Sequence, residues 1–178
     1  MQVTNIHERT LLMNAGDAWY LIESLGAAND LLWPVGCWPR MRLDRPLTLG
    51  ASGGHGPIGY TVVEYVPRVA VKFRFNRPAG YDGYHEFRIL PRAGGVTLRH
   101  TLIMQTRGSA SWSWLLVLRP LHDALLQDLM DRASSYSSGH PFESSWSLRV
   151  MFTRWLLGKL PGLRAPGRHA SGAMKTSL

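Results

Sequence analysis

Three histidines, one carboxylate and one phenol fall where a sheet and a helix could bring them to one surface. Residues 60–66, 69–75, 82–90 and 96–107 alternate with a period of two, as strands buried on one face do. Pro67-Arg68 reads as a two-residue turn between the first pair. Arg92-Ala93-Gly94-Gly95 reads as the loop between the last pair. Turns set register, and register sets which side chains share a face. In the first hairpin Val66 should face Val69, Glu64 face Val71, Val62 face Phe73, and Tyr60 face Phe75. In the second, Pro91 should face Val96, Ile89 face Leu98, Phe87 face His100, and His85 face Leu102. The apolar members mark the inner side. Glu64, Tyr60, His85 and His100 are then expected there with Phe73, Phe87 and Leu102. Lys72, Arg74, Arg88, Arg99 and Thr101 take the outer side. Directly diagonal neighbours such as His85 and His100 have Cα atoms about 7–8 Å apart.

Past residue 112 the period becomes helical. Leu115, Leu118, His122, Leu125, Leu129 and Arg132 or Ala133 form a stripe that adds a third imidazole to the same interior. Three uses of this cluster are open. The imidazoles can be core groups satisfied by backbone, by Glu64 or by water. They can hydrogen-bond the polar end of an apolar ligand. They can also move protons at neutral pH, because the free imidazole titrates near pH 6.5. Three histidines could ligate zinc, but none has a recognised local spacing, and no metal or cofactor is expected.

The remaining elements must hold that surface in place. Residues 2–13 read as a first strand carrying Val3, Ile6 and Thr10. Asn14 can cap a helix over 15–25, closed by Gly26. A second short helix is expected over 28–32 and a short strand over 41–47. Residues 50–56 are Gly-rich without the Lys-Ser/Thr ending of a phosphate loop. They read as a mobile turn, or as a flap with His55 at its tip. Pro120 either kinks the long helix or opens its second segment. That helix should fray over 134–139, a Ser-rich stretch with the composition of a linker. Asp123, Asp128 and Asp131 read as its solvated face. Trp33, Trp38, Trp112 and Trp114 read as core or rim packing.

The chain has 178 residues, enough for one domain with a sizeable core. Its single cysteine, Cys37, excludes an internal disulfide and has no basic neighbour to activate it. Residues 1–9 lack a signal-peptide layout, and no apolar run approaches the ~18 residues of a membrane span. A cytoplasmic setting is expected. Of the net charge of +8, residues 139–178 carry +5, with six basic and one acidic side chain. The other basic groups are mostly scattered arginines, a pattern of composition rather than of a nucleic-acid face. Within 144–160, Leu148, Met151, Phe152, Trp155 and Leu156 form a stripe, with Arg149, Thr153 and Arg154 away from it. Such a helix can lie in a membrane interface, dock on a partner or pack on its own domain. Residues 161–178 read as disordered.

The order is strand, helices, a run of antiparallel strands, then a long helix. Residues 57–67 (PIGYTVVEYVP), 69–75 and 119–126 (RPLHDALL) within that order resemble the START-like superfamily. This is the polyketide cyclase/dehydrase and lipid-transport group of helix-grip proteins. The resemblance covers about residues 2–136. It implies an α+β helix-grip fold, a curved antiparallel sheet wrapped on a long C-terminal helix around an apolar cavity. It also implies a ligand-binding domain over 1–138, leaving 139–178 as a basic helical and disordered appendage. The expected ligand is small and hydrophobic or amphipathic, contacted by His85, His100, His122, Glu64, Tyr60, Phe73, Phe87 and Leu102. A cyclase or dehydratase using the pocket His and Glu, and an interaction protein with a filled cavity, are the alternatives.

Overall fold

The computed structural model describes residues 1–139 and 141–157. Seven strands form one antiparallel sheet in the order β1-β7-β6-β5-β4-β3-β2. They are β1 (Gln2–Leu11), β2 (Arg42–Leu43), β3 (Ser52–His55), β4 (Ile58–Val66), β5 (Ala70–Arg77), β6 (Tyr81–Arg92) and β7 (Gly95–Thr106). The helices are α1 (Ala15–Glu23), α2 (Ser109–Ser113), α3 (Arg119–Ser138) and α4 (Leu148–Leu157). Successive hairpins leave one apolar face to cover, and α3 covers it. Val71, Phe73, Phe87, Ile89 and Leu98 are buried in one core with Leu125 and Leu129.

The β6–β7 hairpin has the expected register, including Phe87 opposite His100 and His85 opposite Leu102. Its turn is tighter than a four-residue loop, because Arg92 pairs with Gly95 and Gly94 takes φ +76°. The β4–β5 hairpin departs from expectation near its turn. Tyr60 still faces Phe75 and Val62 faces Phe73, but Glu64 pairs with Lys72 and Val66 with Ala70. The turn uses Pro67, Arg68 and Val69, with Arg68 at φ +65°. Val63 is the extra residue of a β-bulge, which inverts parity toward the turn. Glu64 is therefore on the outer face, not the inner. It joins Lys72 at 2.5 Å, beside Glu86 and Arg88.

Other local expectations are corrected. Residues 28–32 are not helical, because the Asp30 carboxylate accepts backbone N–H bonds from Gly26, Leu32 and Trp33 and holds an irregular loop. Residues 50–56 contain β3 rather than a free flap. A Cβ on Gly53 would lie 2.0 Å from the Arg42 carbonyl oxygen, so the strand needs glycine where β2 approaches. A π-helical turn at Trp114–Leu118 precedes α3, so of its two expected placements Pro120 takes the first turn of a second segment, and only the stripe above it is corrected. The wider turn buries Trp114 and leaves Leu115 and Leu116 exposed, breaking the upper end of the stripe. Finally, α3 continues through 134–138 and ends at Gly139 with φ +72°. Ser134, Ser135, Ser137 and Ser138 each bond a carbonyl three or four residues back.

Asp128 is not solvated. It is buried and accepts from both indole N–H groups, Trp38 at 2.7 Å and Trp146 at 2.8 Å. The Arg154 guanidinium of α4 lies 4.3 Å from the Trp38 ring and 4.0 Å from the Trp146 ring, and donates to the Cys37 carbonyl. Val150 of α4 is buried in the same core. This junction fastens the 33–41 loop, α3 and α4 together. Asp128→Ala should leave two buried N–H groups without an acceptor, at about 2–4 kcal/mol. The expected fall in Tm is about 5–10 °C. A shift under about 2 °C in a thermal melt would show that water replaces the carboxylate freely.

Candidate functional site

Between the sheet, the π-helical turn and α3 lies a cavity of about 260 Å³. Its wall is mostly apolar, with Phe75, Phe87, Leu102, Met104, Leu118 and Leu125 among the lining side chains. Trp33 and Trp38 close one side, and Arg154 and Leu157 of α4 reach it as well. His55, His85, His100 and His122 all face this space.

Inner-face geometry brings these imidazoles into a continuous line. The His55 ring packs on Trp33 at 4.7 Å, and its Nδ1 is 3.3 Å from the Tyr60 hydroxyl. Tyr60 meets His85 edge-on at 5.0 Å. His85 stacks on Phe73 at 4.8 Å with the rings nearly parallel. Its Nδ1 lies 3.3 Å from His100 Nε2, so one imidazole donates to the other. The His100 ring is 5.3 Å from that of His122, which in turn is 5.8 Å from His7 on β1. Five of the seven histidines of the chain share this line.

Burial sets the electrostatics. Desolvation disfavours the imidazolium. It holds His55 down to about 4, and His85 and His100 well below the ordinary imidazole value, with neighbouring imidazoles adding to the effect. His122 is lowered for the same first reason, partly opposed by Asp123. The Tyr60 phenol is pushed up by burial and then by the charge of Asp30. The cavity therefore presents neutral hydrogen-bonding groups. Two nitrogens, His100 Nδ1 and His122 Nδ1, are buried without a hydrogen-bond partner among the described residues.

The structure brings Tyr60, His85, His100, His122, Phe73, Phe87 and Leu102 to one interior, with Phe73 supporting His85 from behind. It does not bring Glu64. His55 was visible only as the tip of a Gly-rich segment, and β3 is what turns its ring inward. His7 and Asp123 were not foreseen. Asn5, His7 and Arg9 alternate onto the inner face of β1, a polar pattern that apolar periodicity does not detect. Their partners are the acids of α3. Asn5 and His7 hydrogen-bond Asp123, and Arg9 pairs with Asp131 at 2.6 Å.

No protein-family model and no curated protein sequence matches the chain. Solved structures do. CalU16 from Micromonospora echinospora aligns over 84% of this chain and 80% of its own, at 14% identity and a TM-score of 0.57. StfQ, a di-domain ARO/CYC from the steffimycin biosynthetic pathway, aligns over 78% of this chain and 51% of its own, at 12% identity and a TM-score of 0.58. Truncated norcoclaurine synthase from Thalictrum flavum aligns over 79% of this chain and 96% of its own, at 14% identity and a TM-score of 0.57. At such identities the likeness speaks for the fold. The curved antiparallel sheet gripping a long C-terminal helix is the helix-grip fold, which these structures share.

Proposed function

We propose that the protein binds a small molecule with an apolar body and a neutral polar end, held in the cavity against His85 and His100. The observation that carries this reading is the unpartnered His100 Nδ1 in an apolar wall. A buried polar atom without a partner costs about 1–3 kcal/mol, which a ligand hydroxyl or carbonyl would recover. The open volume argues against a cavity filled by its own side chains, and it approaches the roughly 300 Å³ of small ligand sites. Neutral imidazoles favour a hydroxyl or carbonyl over a carboxylate.

Cyclase or dehydratase chemistry at the same place is the second reading. The Tyr60–His85–His100 line favours it, as do neighbours such as StfQ, described as an ARO/CYC. An imidazole held well below its ordinary value is a weak base at neutral pH, however, and efficient proton transfer wants a value near the working pH. With Glu64 outside, the cavity lacks the carboxylate that this chemistry was expected to use. Recognition fits the electrostatics better.

Delivery at a membrane surface completes the proposal. Leu148, Met151, Phe152 and Leu156 of α4 are largely exposed, while Leu157 of the same helix lines the cavity. No described helix is long and apolar enough to cross a membrane, so the contact would be peripheral. Residues 158–160 of the expected helix, and the tail over 161–178, lie outside the described residues.

Paired probes test the cavity. 1-Naphthol should bind more tightly than naphthalene, and His100→Leu should erase about a tenfold preference. Its Tm should change by only a few degrees, since removing the unpartnered Nδ1 offsets the loss of the His85–His100 hydrogen bond. Equal affinities of the wild-type protein for both probes would end the recognition reading.

A further inference from the structure

The line of imidazoles ends, beyond His85 and His100, at a cluster on the border of the cavity. His7 comes from β1, and His122 and Asp123 come from the second turn of α3. His7 Nε2 lies 3.1 Å from Asp123 Oδ1, and His122 Nδ1 lies 3.7 Å from the same oxygen. One ligand atom from each of the three residues falls within 4.8 Å of the others. We propose that His7, His122 and Asp123 bind a divalent transition-metal ion of the zinc, cobalt or nickel class.

The donor set defines the class. Two imidazoles and one carboxylate suit zinc and its neighbours, while calcium and magnesium prefer oxygen-only shells. At bond lengths near 2.0–2.2 Å, ligand atoms around a tetrahedral ion stand about 3.4 Å apart. One imidazole must move by about 1 Å to meet that spacing, a side-chain adjustment at the sheet edge. Three protein ligands leave a fourth position for water or a small ligand.

Two further observations point the same way. His122 Nδ1 is buried without a hydrogen-bond partner, although Asp123 Oδ1 is nearby. An ion between them would satisfy both. Asn5 is built like an outer-shell group: its Nδ2 donates to Asp123 Oδ1 at 2.9 Å, which orients the carboxylate. Its Oδ1 is also buried and without a partner, and could accept from a metal-bound water. The side chains of His7 and Asp123 are 21% and 39% exposed, so an ion can enter from solvent. His122 also belongs to the cavity wall, so the bound ion would border the ligand space.

The inference does not depend on the ligand-binding reading, because its test uses the metal alone. Untagged full-length protein is titrated with Co²⁺ by visible absorption and with Zn²⁺ by calorimetry. One equivalent should bind, with ligand-field bands in the Co²⁺ form. His7→Gln should weaken binding by about 100-fold, and Asn5→Ala, which only releases the carboxylate, by about tenfold. Circular dichroism is to check that both variants fold; His7 is on an edge strand and half buried, so the change is mild. The double variant His140→Gln/His169→Gln should bind as the wild type does. Wild-type affinity in His7→Gln, or loss of binding in the double variant, would overturn the site, as would failure of the wild-type protein to bind either ion.

Discussion

Acidification from pH 7 toward pH 4.5 should unfold the protein cooperatively, well above the range where carboxylates usually titrate. The cause is the set of buried neutral imidazoles. In the unfolded chain each takes a proton near pH 6.5. In the folded protein His85 and His100 stay neutral far below that, and His55 to about 4. Their folded values are depressed, so their contribution is complete above pH 6.5 and is lost as pH falls below it. Three protons bound only by the unfolded state give a slope of about 4 kcal/mol per pH unit between roughly pH 5.5 and 4.5. That is large against a total stability of about 5–15 kcal/mol. Asp30 and Asp128 are raised by burial and act in the opposite direction, taking protons in the folded state first, but from a lower starting point. Urea unfolding across this range measures the slope. His85→Leu should flatten it by about one proton's worth, about 1.4 kcal/mol per unit. Stability that is level from pH 7 to 5 would mean that the imidazoles are not held neutral inside.

Anionic vesicles should retain the full chain and release it as salt rises. Phe152 is 62% exposed and Leu148 81% exposed on the side of α4 that faces away from the core. Arg149, at the start of α4, and the basic residues beyond 157 supply the charge. Each basic group near such a surface contributes roughly 1 kcal/mol, and salt screens it. Replacing Leu148, Phe152 and Leu156 together by Ser should weaken binding about 100-fold or more, since each buried side chain is worth about 1.5–3 kcal/mol. The folded protein should tolerate this, because those side chains are in solvent, and Tm should stay within about 2 °C. Co-sedimentation with phosphatidylserine and with phosphatidylcholine vesicles checks both points. Equal retention on the two lipids, or an unchanged triple variant, would defeat the membrane role.

How far the sequence could be read depended on where local pattern determines three-dimensional neighbours. In β6 and β7 the alternation is unbroken and the turn is tight, so every pair from Tyr81↔Thr106 to Arg92↔Gly95 follows from counting. In β4 and β5 counting fails at one point. Nothing in Val62-Val63-Glu64 announces that Val63 will be skipped, since both valines suit a strand. The helical stripe failed at Leu115 for a similar reason: a single π turn changes the period, and 3.6 no longer applies. Asp128 looked solvated because an acid on a helix usually is. Its two indole partners lie 90 residues before it and 18 after it, beyond the reach of local spacing. The contacts of His7 and Asn5 with Asp123 span more than 100 residues and join polar groups, so apolar periodicity is blind to them.

The bulge at Val63 has a consequence for how such cavities diversify. Because β4 bulges at Val63 and the turn takes three residues, Glu64 pairs with Lys72 on the outer face and not with Val71 on the inner one. Tyr60, Val62 and Phe73 kept their places. A hairpin can thus exchange the ionisable content of a pocket at constant length, by trading a two-residue turn for a three-residue turn with a bulge. Proteins sharing this architecture at low identity could differ in pocket acidity through turn type alone, while their core substitutions remain conservative. Deleting Val63 would leave Glu64 opposite Lys72, whereas substitutions that favour a two-residue turn would pair Val63 with Lys72 and Glu64 with Val71, turning the carboxylate inward.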